Sequence, residues 1–189
     1  MKLCAILAVC VAVGCLTLVA VPGVRADNTQ LVVTQDESSM EKVIESYLKG
    51  QHELIMEEKF QGDNNDDLYL DIPFKAEGGV PKFDFFVDTQ PTNHDDNNRV
   101  IERGVLLSLE TGVTVPDNQR ADVLEVLNTW NRTKNFSSTY LNKNGEIVCD
   151  WCLNVMKEGL PTEYVFDGIV RVQNNWRKLW PEVSKALGD

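Results

Sequence analysis

Two cysteines three positions apart, Cys149 and Cys152, form the sharpest local motif in this chain of 189 residues. A C-x-x-C pair can cycle between dithiol and disulfide, or hold a metal. Either use requires the sulfurs to meet. The flanking residues Glu146–Val155 read as a strand. Residues three apart on a strand point to opposite faces, about 10 Å apart at ~3.3 Å per residue, whereas a disulfide needs Cα atoms within about 7 Å. Only a bulge at Asp150-Trp151 would bring the thiols together. No His follows Cys152, and no second cysteine pair completes a zinc site. The competing reading is two small, mostly buried apolar residues.

Two acidic stretches, Asp63-Asn64-Asn65-Asp66-Asp67 and His94-Asp95-Asp96-Asn97-Asn98, offer the clustered oxygens a hard cation prefers. An EF-hand counted from Asp63 would need Gly at its sixth position and Glu at its twelfth. Leu68 and Phe74 stand there. These stretches read better as solvated loops between strands. Catalysis is poorly supplied. The chain has two histidines, His52 and His94, and no nucleophile elbow, phosphate-binding glycine loop or H-E-x-x-H. No catalytic residue and no cofactor is expected. Trp176 and Trp180 sit four apart on a helical stripe. Trp176 suits the core, and Trp180, beside Pro181, is the better anchor for a partner. Asn131-Arg132-Thr133 and Asn135-Phe136-Ser137 are glycosylation sequons, which matter only in a eukaryotic secretory pathway.

The elements that must position these residues follow from periodicity. Ser38 and Glu41 fit a capping box. Met40, Val43, Ile44, Tyr47 and Leu48 then step at helical spacing, and Gly50 is expected to stop the helix. His52–Phe60 fits either a strand or a helical extension. Leu68, Leu70, Ile72 and Phe74 alternate, as do Phe83, Phe85 and Val87, and Arg99–Val113 reads as a third strand of a meander. Pro91–Asn98 reads as a loop. Pro116 opens a helix carrying Val123, Val126, Leu127 and Trp130. Thr139–Leu141 and Glu146–Val155 form a hairpin over Asn144-Gly145. Val165, Ile169, Val172, Trp176, Leu179 and Val183 mark the last helix, which Pro181 should kink or end. Hairpin-paired strands with flanking helices argue for an α+β layer fold, its helices packed on an antiparallel sheet.

The N-terminus reads as an export signal. Lys2 precedes an apolar run from Leu3 to Val21, Pro22-Gly23 breaks it, and Val24-Arg25-Ala26 offers a cleavage site. Residues 1–26 are thus assigned as signal peptide, 27–37 as a flexible leader and 38–189 as one domain. An uncleaved anchor, or lipidation at Cys15, are the alternatives. Three of the five cysteines lie in the signal, so the domain is no disulfide scaffold. The whole chain carries a net charge of −11. That acidity argues against nucleic acid and anionic membrane surfaces as partners. No stable membrane insertion is expected once the signal is removed.

The segment Val123–Leu187 resembles the YbjN family of small bacterial domains. The resemblance rests on Leu127-Asn128-Thr129-Trp130-Asn131, the hairpin Tyr140–Ile147, Gly159-Leu160-Pro161, and a long helix closing on Leu179-Trp180-Pro181. The earlier residues agree in element order. Members are described as sensory-transduction regulators, with a fold similar to type III secretion chaperones: helix, strand meander, helix, hairpin, helix. The resemblance implies a protein-binding module without catalytic residues. It transfers no functional residues. An export signal departs from the family's familiar cytoplasmic members.

Together these readings describe an exported, periplasmic or extracellular, non-enzymatic module that binds a protein partner, with a homodimer as one form of that. A thiol-redox protein using Cys149 and Cys152, and a calcium-stabilised surface protein, are the alternatives.

Overall fold

The computed structural model describes residues 30–61, 67–133 and 137–188. The signal at 1–26, Cys15, most of the first Asp-rich stretch and Asn135 lie outside the described residues.

The chain runs through β1 (Gln30–Leu31), α1 (Glu37–His52), β2 (Glu57–Gln61), β3 (Asp67–Phe74), β4 (Phe83–His94) and β5 (Val100–Thr114). A short 3-10 turn at Asp117–Gln119 leads into α2 (Arg120–Thr133). Then come β6 (Ser138–Leu141), β7 (Glu146–Val155), β8 (Leu160–Pro161) and α3 (Glu163–Ala186). Six strands form one antiparallel sheet in the order β2-β3-β4-β5-β7-β6, and β1 pairs separately with β8. The expected α+β architecture, with its order of helix, meander, helix, hairpin and helix, is present.

Alternation sets the core. Leu70 and Ile72 of β3, Phe85 and Val87 of β4, Val105, Leu107 and Leu109 of β5, and Ile147 and Cys149 of β7 all point to one side and are buried. The helices lie on that side. α1 packs on β3 and β4, α3 on β5 and β7, and α2 on β6 and α3. α1 contributes Met40, Ile44 and Leu48, spaced four apart and fully buried.

The start of α1 differs from the capping box expected at Ser38 and Glu41. Asp36 is the N-cap, and its Oδ1 accepts the Ser39 N–H at 2.8 Å. This bond, with one from the Ser39 hydroxyl, holds the Asp36 carboxyl below its ordinary range. Glu41 is fully buried and ties α1 to the sheet, with Oε1 accepting both N–H and Oγ1–H of Thr89 at 3.0 Å. Gly50 does not stop the helix either. The left-handed residue that ends it is Glu53, at φ 52°. His52 therefore belongs to α1, and β2 begins four residues beyond the helix cap.

From Gln30 on, the segment expected as a leader is held against the domain. Leu31 pairs with Leu160 and is fully buried. Arg103 donates from Nε to Val33 O at 3.2 Å and lies 3.5 Å from Glu37. Gly159 makes room for this strap. A Cβ there would stand 2.6 Å from Gln30 Nε2, and its φ is +80°.

β4 runs on past Val87 into the stretch expected as a loop from Pro91, reaching His94 through a register shift near Pro91. Pro181 does not end α3. The helix loses one N–H there, but Leu179 and Val183 on either side are fully buried, and their packing carries it on to Ala186. No helix among the described residues is long and apolar enough to cross a membrane.

Candidate functional site: the open face of the sheet

Because the described helices share one side, alternate residues of the central strands face the other side, with no covering layer among the described residues. Cross-strand register places Asp71, Phe86, Ser108 and Asp150 in one row across β3, β4, β5 and β7. Pro73, Asp84, Glu110 and Val148 form the next row. Tyr69, Asp88, Leu106, Ser108, Glu110 and Phe86 line a shallow hollow of about 260 Å³. Its floor is aromatic: the rings of Tyr69 and Phe86 meet edge to face with centroids 5.5 Å apart.

The rim is acidic. Asp84 and Glu110 are direct register partners, like charges on neighbouring strands. Partial burial raises the Glu110 carboxyl, and the carboxylates of Glu146, Asp150, Asp84 and Asp71 raise it further. Asp71 is also raised, by burial and then by Asp84, with Lys59 opposing. Lys59, at the β2 edge, is held by Glu57 at 2.8 Å and lies 3.7 Å from Asp71 Oδ2. Asp71 Oδ1 is buried and accepts no hydrogen bond among the described residues. Asp150 is better served: the Ser108 hydroxyl donates to it at 2.6 Å and the Tyr140 phenol at 2.5 Å. Burial, followed by that bond, pushes the Tyr140 phenol up.

The structure separates the two cysteines singled out in the sequence. Cys149 pairs in register with Leu109 and Cys152 with Leu106, with no shift between them. The bulge that would have joined them is absent from this stretch. Cys149 is buried on the helix side and Cys152 is exposed on the open side. Burial pushes the Cys149 thiol up to about 12 and raises Cys152 as well. Both favour the unreactive thiol over the thiolate at neutral pH. The sulfur of Cys152 lies over Gly104, where a Cβ would approach it to 2.8 Å.

Both tryptophans are used within the chain. Trp176 is fully buried. Trp180, the expected anchor, is partly buried against the core, packs on Trp176 with centroids 5.4 Å apart, and donates to Gly79 O at 2.8 Å. The acidic stretch after His94 forms the β4–β5 turn. Asp95 Oδ1 accepts the N–H groups of Asn97 and Arg99 at 2.9 and 2.8 Å, and Asn98 is left-handed at φ 59°. No cluster of three His, Cys, Asp or Glu suited to a metal occurs among the described residues. Asn131, in the first sequon, holds β6 through both amide atoms, donating to Thr139 O at 2.7 Å and accepting Thr139 N–H at 2.9 Å.

The residues that sequence reasoning passed over are Tyr69, Asp71, Phe86, Leu106 and Glu110. Their signal was the outward set of each alternating strand. Among those outward positions Tyr69, Phe86 and Leu106 cluster on three adjacent strands amid the carboxylates.

Residues 99–172, from the start of β5 into α3, match the YbjN family, described as "Putative bacterial sensory transduction regulator". No curated protein matches the chain.

Proposed function

From a chain whose residues 99–172 match the YbjN family, we propose that this is an exported, non-enzymatic regulatory module that receives a protein partner on the open face of its sheet. The observation that carries this reading is the cluster of Tyr69, Phe86 and Leu106 on three adjacent strands, with no covering layer among the described residues, at the centre of an otherwise well-packed α+β domain. A sheet normally buries one face and solvates the other. An aromatic-floored hollow on the solvated side is the kind of surface that gains by desolvation against another chain. The family's regulatory description supports the reading, since a regulator acts by contact. Export is supported by the layout of residues 1–26.

The test is affinity capture with the full chain, tagged at its C-terminus, from the envelope fraction of the cells that make it. Phe86→Asp and Leu106→Asp are compared with the unaltered protein. Capture of one defined partner, lost in both variants while they remain folded, supports the reading. A partner held equally well by both variants refutes the assignment to this face. Capture of its own copies alone would make the face a dimer interface. N-terminal sequencing of the envelope form should begin near Asp27, and a cytoplasmic, unprocessed chain would refute export.

A further inference from the structure

The open face selects by charge as well as by shape. Asp71, Asp84 and Glu110 stand on three adjacent strands beside the aromatic hollow, and Asp150 stands on a fourth. Two features show that this arrangement works against the isolated fold. Asp84 faces Glu110 directly, and like charges in register destabilise a sheet. Asp71 Oδ1 is buried with no donor among the described residues, which costs desolvation without a bond in return. Each charged group acting on Glu110 is another carboxylate. Lys59 offsets part of the charge at Asp71, but no cation faces the Asp84–Glu110 pair in its register row, and a local rule broken in this way is expected where a surface serves something outside the fold.

Resting on the open-face reading above, we infer that the partner presents a Lys- or Arg-rich protein segment carrying apolar side chains, its cations meeting Asp71, Asp84 and Glu110 and an apolar side chain filling the hollow between Tyr69, Phe86 and Leu106. The pairing is complementary at each point. Guanidinium or ammonium donors neutralise the exposed carboxylates and relieve the Asp84–Glu110 repulsion. Nucleic acid and anionic lipid carry the wrong sign. The binding segment displaces water from the Tyr69 and Phe86 rings, so the same carboxylates act in a less polar setting than they meet in the free protein.

The experiment uses isotope-labelled protein purified from cells expressing the full chain, titrated with two octapeptides. One alternates Arg and Leu and the other alternates Gln and Leu. The Arg/Leu peptide should shift the amide resonances of β3, β4 and β5 residues on the open face and bind at least about tenfold more tightly than its neutral counterpart. Asp71→Asn combined with Glu110→Gln should remove about that factor, and added salt should do the same to the unaltered protein. Asp84→Asn, a separate isosteric change on the surface, guards against a variant that fails to fold. If both peptides bind the face equally, or the neutralised variants bind as tightly as the parent, the charge inference falls while the open-face reading stands. If neither peptide moves the face resonances, both fall.

Discussion

The place where α3 crosses the sheet is a sharp test of the packing argument. A Cβ on Gly168 would lie 2.3 Å from Leu107 Cδ1 and 2.9 Å from Trp151 Cζ3. Leu107 is fully buried in mid-sheet, so its methyl has no free volume to enter. We predict that Gly168→Ala lowers stability despite its better helix propensity. Alanine contributes about 1 kcal/mol over glycine in a helix interior, while overpacking a dense core costs about 1–3 kcal/mol. The net loss should be up to about 2 kcal/mol. Leu107→Ala alone should cost about 2–5 kcal/mol, by leaving a cavity at the same contact. In that background the new methyl no longer meets Leu107 and only the Trp151 ring, at 2.9 Å, must give way, so Gly168→Ala should cost less than it does in the unaltered protein. Urea unfolding of the four proteins, with unchanged slopes, reads the cycle directly. Stabilisation by Gly168→Ala in the unaltered protein, or an equal loss in both backgrounds, would refute the reasoning.

Two further expectations concern the open face and the thiols. Glu110→Gln should raise stability at neutral pH by about 0.2–1 kcal/mol, the usual size of one cross-strand pair. The Glu110 carboxyl is raised above its ordinary 4.5 in the fold. Its favourable contribution is therefore complete below 4.5 and is lost as pH rises through the raised value. The gain from Glu110→Gln should shrink toward zero on acidification, and a gain that persists in acid would remove the electrostatic explanation. Among the domain's thiols, Cys152 should react with a soluble alkylating reagent in the native state and Cys149 only after unfolding. Mass spectrometry of the labelled peptides separates the two, and a Cys149–Cys152 disulfide formed under mild oxidation would contradict the strand register.

Much of the fold was legible because it follows from periodicity. α3 announces itself through six apolar residues at steps of three and four, and the inward sets of β3 and β4 alternate cleanly. The β6–β7 turn was readable from Asn144-Gly145, with Gly145 left-handed at φ 76°. Asn142 adds what the dipeptide rule omits, its Oδ1 accepting from the N–H groups of both Asn144 and Glu146. What was not legible depends on partners distant in sequence. β2, composed of Glu57, Glu58, Lys59, Phe60 and Gln61, has little strand propensity and exists through its pairing with β3. Glu41 looks like a local capping residue until β4 brings Thr89 to it. The site was harder still. Sequence reading follows the inward residues, whereas the candidate face is built from the outward ones. Only strand order shows that Asp71, Asp84 and Glu110 become neighbours.

The strap at the N-terminus bears on how long the folded molecule lasts. Gln30 Nε2 donates to Glu158 O across 128 positions of chain, at the junction of β1 with β8. The β3–β4–β5 meander, by contrast, joins strands adjacent in sequence. Contacts that close a long loop form late, after local pairings have reduced the entropy of the chain. Bonds absent from the rate-limiting ensemble govern escape from the native state rather than entry into it. Leu31, Gln30 and the Arg103–Val33 contact thus act as a brake on unfolding. In stopped-flow measurements, Leu31→Ala should speed unfolding while leaving the refolding rate nearly unchanged. The half-life of the native protein is then set by a few residues at the margin of the domain, and the centre of the sheet governs how fast it is made.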